Sequence, residues 1–277
     1  MEIKVFSDVF CTWSYGEEKV LRAIDFIYES NVKIVNIMGG MFSDYRDLLP
    51  INMKDQDSKE MANNIIWEMW KTGYNFHNMP IINHCPDLLS EDNVSVYPVD
   101  TAFVAARLTD EEKSNRYLRM LREYTLLDGK NTFDINIQVE IAEKCKIDKE
   151  KFIYNLNNYA HDEFLEDRMK SFDNRFVNFP DFEYRKRDGK VILKKGYRNL
   201  DEMMEIIDNN SDIKKRDYSL NEKNIMDFIT KYKRVFIPEL NEVFKDKIKI
   251  TEIVDNLFLN DFCEVNNVGN GIEIIKK

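Results

Sequence analysis

Short-range cysteine pairs are absent from this sequence. Its four cysteines, Cys11, Cys85, Cys145 and Cys263, stand far apart, a spacing that gives neither a disulfide framework nor a zinc site. Histidine is scarce, and His77, His84 and His161 have no metal-ligand spacing. No window of about 18 apolar residues occurs, so no membrane span is expected. The first apolar run is broken by Glu2, Lys4 and Asp8, so no secretory leader is expected either, and the cytoplasm is the expected location. Positive charge is in deficit: 40 Lys and Arg against 50 Asp and Glu leave a net charge of -10. That balance argues against nucleic acid or an anionic membrane as the main partner. What is present is a chain of 277 residues, 43% hydrophobic and 32% charged, long enough to bury a sizeable core.

The run from Phe6 to Gly16 is the most informative. Ile3 and Val5 alternate with Glu2 and Lys4 as in a strand. After Cys11, the residues Val20, Leu21, Ile24, Ile27 and Tyr28 fall at helical spacing, with Glu17 and Glu18 near the start. Cys11 therefore sits where a strand gives way to a helix. There, unpaired backbone N–H groups and the positive dipole end favour thiolate over thiol. A C-x-x-C redox motif carries its attacking sulfur at this position, but the fourth residue here is Ser14. The run Val32 to Met41, ending at Gly39-Gly40, predicts a second, buried strand, so the chain opens as β-α-β.

A second informative region begins at Val177. Phe179-Pro180 precedes one strand (near 182–187), Asp188-Gly189 predicts a two-residue hairpin, and Val191-Ile192-Leu193 continues as the next strand (near 190–194). A proline at a strand's entrance cannot donate to the ladder and is often joined by a cis bond in a tight approach to another loop. A helical run from Asp201 to Asp208 closes the unit. Arg185, Lys186, Arg187, Lys190, Lys194 and Lys195 flank the hairpin as a solvated edge that discourages sheet-to-sheet aggregation.

Residues 44–176 read as an all-helical insertion. Its stripes include Met61, Ile65, Met69 and Trp70, and Pro98 fits a first helical turn. Most of these side chains are expected in the insertion's own core, as is Cys145 beside Ile137 and Ile141. A sharper alternative has Met41, Trp67, Trp70 and Met79 lining a groove beside Cys11. Cys85 could resolve a disulfide at Cys11 only if its loop folds over the motif. Asn209 to Asp217 looks like a linker. Beyond it, at 218–277, three helical stripes precede a hairpin of Cys263–Val265 and Ile272–Ile275, the order of a small winged-helix-like module. Nine basic against ten acidic residues leave that module at -1, which points to protein contact, self-association or packing and not to DNA.

These residues resemble the DsbA-like branch of the thioredoxin superfamily, to which FrnE-type oxidoreductases and the kappa-class-like 2-hydroxychromene-2-carboxylate isomerases also belong. The resemblance rests on Asp8 to Gly16, close to D-x-x-C-x-W-C-Y-G, on Gly39-Gly40-Met41, and on Ser95 to Ala106 with Tyr97-Pro98 and Ala102. It continues through Phe179-Pro180, Asp188-Gly189 and Gly196-Tyr197, covering about residues 1–210. It implies an α/β, thioredoxin-like fold at 1–210 with the helical insertion, followed by the separate C-terminal module. It also implies catalytic roles for Cys11 and Ser14, with Trp13, Tyr15, Phe179 and Pro180 contacting substrate, and a cis Phe179-Pro180 bond that lies against Cys11. Two departures stand out. Ser14 replaces the resolving cysteine, and Asp181 follows the proline, where a carboxylate near the sulfur would raise its pKa.

Three functions are compatible with this pattern. The first is a single-cysteine thiol–disulfide oxidoreductase in which Cys11 attacks a disulfide and a low-molecular-weight thiol completes the exchange. The second is an isomerase that orients a bound thiol cofactor, and the third is a protein-interaction adaptor on a redox-degenerate fold. The expected partner is a disulfide-containing or extended protein, or a small thiol, with a homodimer as a further option. No metal and no other cofactor is expected.

Overall fold

The computed structural model describes residues 1–53 and 58–277. Strand β1 (Glu2–Ser7) is central, because Ile3 and Val5 bury one face of it while the backbone pairs on both edges. It pairs in parallel with β2 (Lys33–Met38), Val5 opposite Asn36, after a crossover through helix α1 (Thr12–Ile27). On its other edge it pairs antiparallel with β3 (Asp181–Arg185), Val5 opposite Phe182, and β3 pairs with β4 (Val191–Lys195). The sheet order is β2-β1-β3-β4.

The hairpin between β3 and β4 is not the two-residue turn that Asp-Gly predicts. Lys186 N donates to Lys190 O and Gly189 N to Lys186 O, with Gly189 at φ +82°. The loop is thus three residues long, a turn finished by a left-handed glycine, a conformation that costs glycine little.

Between β2 and β3 the chain is helical. Helices α2 (Lys59–His77), α3 (Tyr97–Thr109), α4 (Glu111–Arg122), α5 (Ile135–Lys144), α6 (Lys149–Asn158) and α7 (Ala160–Asp173) follow one another, with no strand among the described residues. Side-chain caps fix several starts: Asp110 accepts from Lys113 N and Asp148 from Lys151 N. No helix is long and apolar enough to cross a membrane among the described residues.

Helix α1 is the shared wall of two cores. Tyr15 joins the insertion's core with Trp70 and Phe103, whereas Val20, Ile24 and Ile27 join a second core. That second core is completed by α8 (Leu200–Asn210) and by the C-terminal region. There α9 (Glu222–Tyr232), β5 (Arg234–Phe236), α10 (Ile237–Phe244) and α11 (Lys247–Leu259) precede a hairpin of β6 (Cys263–Val268) and β7 (Gly271–Lys276). The strands order as β5-β7-β6, which is winged-helix topology.

Strand β5 is invisible to periodicity because it is three residues long. The hairpin runs further than its apolar residues, since Asn266 and Asn267 are held by backbone pairing to Glu273 and Ile272. The stretch that reads as a linker has no regular structure after Asn210, yet it is packed. Arg216 N donates to Ile27 O, and its guanidinium lies 4.1 Å over Phe26. A buried ion network welds the C-terminal region to the rest: Glu239 accepts from Arg22 (2.9 Å) and Arg119 (3.0 Å), and Arg234 bridges Glu123 and Glu273.

Candidate functional site

Cys11 is the N-cap of α1. Its backbone is extended (φ -72°, ψ 108°), and its sulfur takes the position of the usual capping oxygen, accepting from Ser14 N at 3.4 Å. The thiol in turn donates to the Phe179 carbonyl at 3.4 Å. The Phe179–Pro180 peptide is cis. Close approach of that loop depends on Gly39 at the end of β2, because a Cβ there would fall inside the Phe179 ring. Cys11, Ser14, Phe179 and Pro180 therefore meet in space although 168 positions separate Cys11 from Phe179.

Two of the expected substrate contacts part company. Trp13 is half-buried at the rim, its ring 5.2 Å from exposed Phe76 and 6.4 Å from Tyr197. Tyr15 is fully buried and its hydroxyl donates to Pro80 O at 3.0 Å. It cannot touch a substrate; a helix residue four after the cap turns inward, under the site. Ser14 is also buried. Its hydroxyl has no standard hydrogen bond, yet its dipole beside the sulfur favours the thiolate.

The helix start does not leave the thiol acidic. Cys11 is only 5% exposed, and burial raises its pKa above the ordinary value. The Ser14 hydroxyl and N–H work in the opposite direction, followed by a raising effect of Asp8 and a lowering effect of Arg122. Sequence reasoning expected the helix end to dominate; desolvation outweighs it. The expected carboxylate was also misplaced. Asp181 points away to accept from Gly196 N at 2.6 Å, and the negative charge that acts on the sulfur belongs to Asp8.

Asp8 forms a buried carboxyl pair with Asp100 of α3. Asp8 accepts from Phe10 N (2.7 Å) and Met41 N (2.6 Å), while Asp100 accepts from Val9 N (3.0 Å). Burial raises both pKa values, Asp100 far more because Asp8 is the next largest influence on it. Two carboxyls buried together oppose each other's ionisation, which is what lifts Asp100 so far, and Asp100 Oδ2 has no hydrogen-bond partner. Asp100 escaped sequence reasoning; its one signal is an acid in the first turn of an otherwise apolar helix.

His77 is buried at the end of α2. Its Nδ1 accepts from Met79 N (3.0 Å), so Nε2 carries the hydrogen and faces Thr12 Oγ1 at 3.2 Å. Burial, then Lys19, pushes its pKa down to about 3. It is a neutral strut and not an acid or base for the thiol.

A groove of about 410 Å³ lies beside Trp13, lined by Met61, Asn64, Ile65, Glu68, Met69 and Thr72 of α2. The four groove residues suggested by the sequence do not line it. Trp70 and Met79 are core, with Trp70 Nε1 donating to Phe10 O, and Met41 and Trp67 pack half-buried against that core. Met61 and Ile65 of the stripe read as core do pack half-buried against that core, and with exposed Met69 their outer sides also line the groove. All four cysteines are free thiols; Cys145 and Cys263 are buried and Cys85 half-buried. Among the described residues no cluster of three or more His, Cys, Asp or Glu side chains is placed to hold a metal.

A family model described as thioredoxin matches residues 5–180. No curated protein matches the chain. Among solved structures, a candidate protein disulfide isomerase from Nitrosomonas europaea superposes with a TM-score of 0.62 at 16% identity, covering 75% of this chain and 96% of its own. The cytosolic disulfide reductase DsbM from Pseudomonas aeruginosa gives 0.58 at 15%, covering 76% and 98%. A DsbA oxidoreductase candidate from Streptomyces coelicolor gives 0.55 at 14%, covering 76% and 89%. Such identities speak for the fold, and the matches leave about a quarter of this chain uncovered. The chain thus belongs to the thioredoxin family, with the helix-inserted fold of its DsbA-like branch.

Proposed function

We propose that the protein is a single-cysteine thiol–disulfide oxidoreductase of the cytoplasm. The observation that carries this reading is the Cys11 sulfur at a helix start, in contact with the Phe179 carbonyl beside Pro180. The first step would join the Cys11 thiolate to one sulfur of a disulfide R–S–S–R′, while the old S–S bond breaks and R′–S⁻ leaves with its electron pair. Ser14 offers no sulfur for the second step. An external low-molecular-weight thiolate would therefore attack the R sulfur, form a new mixed disulfide with R, and return Cys11 as thiolate. One external thiol is consumed and one R′ thiol released. The disulfide reductase chemistry named for the Pseudomonas relative supports this choice of substrate class, a disulfide-bearing protein or small disulfide.

In mildly oxidising, thiol-poor buffer, wild type is expected to accumulate reducible adducts that vanish in Cys11→Ser. Ser14→Cys should shorten their lifetime and raise insulin-type reductase activity. One observation favours a second reading: the thiol is buried, which raises its pKa, while an apolar groove stands open beside Trp13. On that reading the fold is a protein-interaction adaptor. Adducts that survive Cys11→Ser and instead require Cys85 would put the adaptor ahead.

A further inference from the structure

The hairpin of the C-terminal winged-helix region ends at Gly269-Asn270, between β6 and β7, and that tip is docked on the segment after α2. Asn270 N donates to Ile81 O at 3.1 Å, Asn270 Oδ1 accepts from Ile81 N at 2.9 Å, and Tyr74 donates to Asn270 O at 3.2 Å. Asn270 thereby satisfies both backbone groups of one residue. Two glycines make the approach possible: a Cβ on Gly269 would fall on the Ile81 carbonyl, and one on Gly271 would come 2.7 Å from Pro80 Cβ. The other side of the clamped segment faces the start of α1. Pro80 O receives the Tyr15 hydroxyl, and Met79 N fixes the His77 ring, which contacts Thr12 Oγ1. The same ring fills the space that a Cβ on Gly16 would need. Thr12, Tyr15 and Gly16 all lie within five residues of Cys11.

We infer that Asn270 is a positioning residue for the Cys11 thiol, acting through the segment Met79–Ile81, and that the C-terminal region serves to seat the thiol. A hairpin that packed only for stability would have no reason to saturate one backbone unit whose neighbours anchor the first turn of α1. The inference concerns the thiol of the proposed exchange reaction but is read without it, so failure of either leaves the other standing.

The test is the rate of Cys11 alkylation by iodoacetamide in the full chain, resolved from the other thiols by peptide mass, at fixed pH. Asn270→Ala should raise the rate about fivefold, the change in open population that one hydrogen bond supports. Asn270→Asp keeps an acceptor for Ile81 N and should restore the rate to within about twofold of wild type. Tyr15→Phe removes only the Pro80 bond and should also raise the rate; combined with Asn270→Ala it should add little, because both act through one segment. A wild-type rate in Asn270→Ala, or two effects that multiply independently, would overturn the inference. Should the alanine variant not fold, Asn270→Ser replaces it: a raised rate supports the assignment and an unchanged one refutes it.

Discussion

Truncating Glu239 should loosen the whole molecule and not merely its C-terminal region. The carboxylate is fully buried and holds three donors: Arg22 Nη1 at 2.9 Å, Arg119 Nη1 at 3.0 Å and Phe236 N at 2.7 Å. Those donors come from α1, from α4 and from the junction of β5 and α10. Glu239→Ala leaves Arg119, almost wholly buried, with Glu123 as its remaining carboxylate. Removing one member of a buried ion pair costs about 3–5 kcal/mol, most of it the penalty of the charge left behind. At about 2–4 °C per kcal/mol for chains of this size class, the melting temperature should fall by about 6–20 °C. Glu239→Gln retains the acceptor oxygen and should lose less. Differential scanning calorimetry decides the matter: one cooperative transition shifted downward is expected. A loss below about 2 °C, or a separate early transition for the C-terminal region alone, would refute the claim that buried charge welds it to α1 and α4.

Gly39→Ala should push Phe179 away from the sulfur and destabilise by about 1–3 kcal/mol, the usual overpacking cost; urea titration reads the stability, and a neutral result would mean that the Phe179 loop simply moves aside. His77 should make the protein acid-sensitive. Its folded pKa near 3 lies below the unfolded value of about 6.5, so the stability it contributes is complete above the unfolded value and is lost as pH falls from there toward 3. The slope of unfolding free energy between pH 7 and 4 should flatten in His77→Gln, and an unchanged slope would contradict the burial argument. The opposite sign applies to Cys11. Its raised pKa gives a stabilising contribution that is complete below the unfolded value of about 8.5 and is lost as pH rises beyond it; alkylation should therefore require a higher pH in the folded chain than in urea, and coincident profiles would show the thiol to be open.

Local rules of spacing made the strand–thiol–helix switch, the helical insertion and the three helices and final hairpin of the C-terminal region legible in the sequence, though not the short β5 between the first two of those helices. Each depends on residues within one or two turns of each other: the apolar period of α1, the caps at Asp110 and Asp148, the proline at the entrance of β3. Tertiary structure alone decided what the thiol experiences. A helix start argues for thiolate, but Cys11 is buried, with the Phe179 carbonyl brought against its sulfur from 168 positions away and Arg122 acting on it from α4. It also decided which face of α2 is open. Met61, Ile65 and Met69 are as apolar as Trp70, and only the packing of the helices buries Trp70 fully, leaves Met61 and Ile65 half-buried between core and groove, and exposes Met69. The docking of Asn270 on Ile81 had no local signal at all. Two hydrogen bonds between residues 189 positions apart, one backbone to backbone and one from Ile81 N to the Asn270 side chain, exist because two distant segments meet, and sequence periodicity carries no information on where such segments come together.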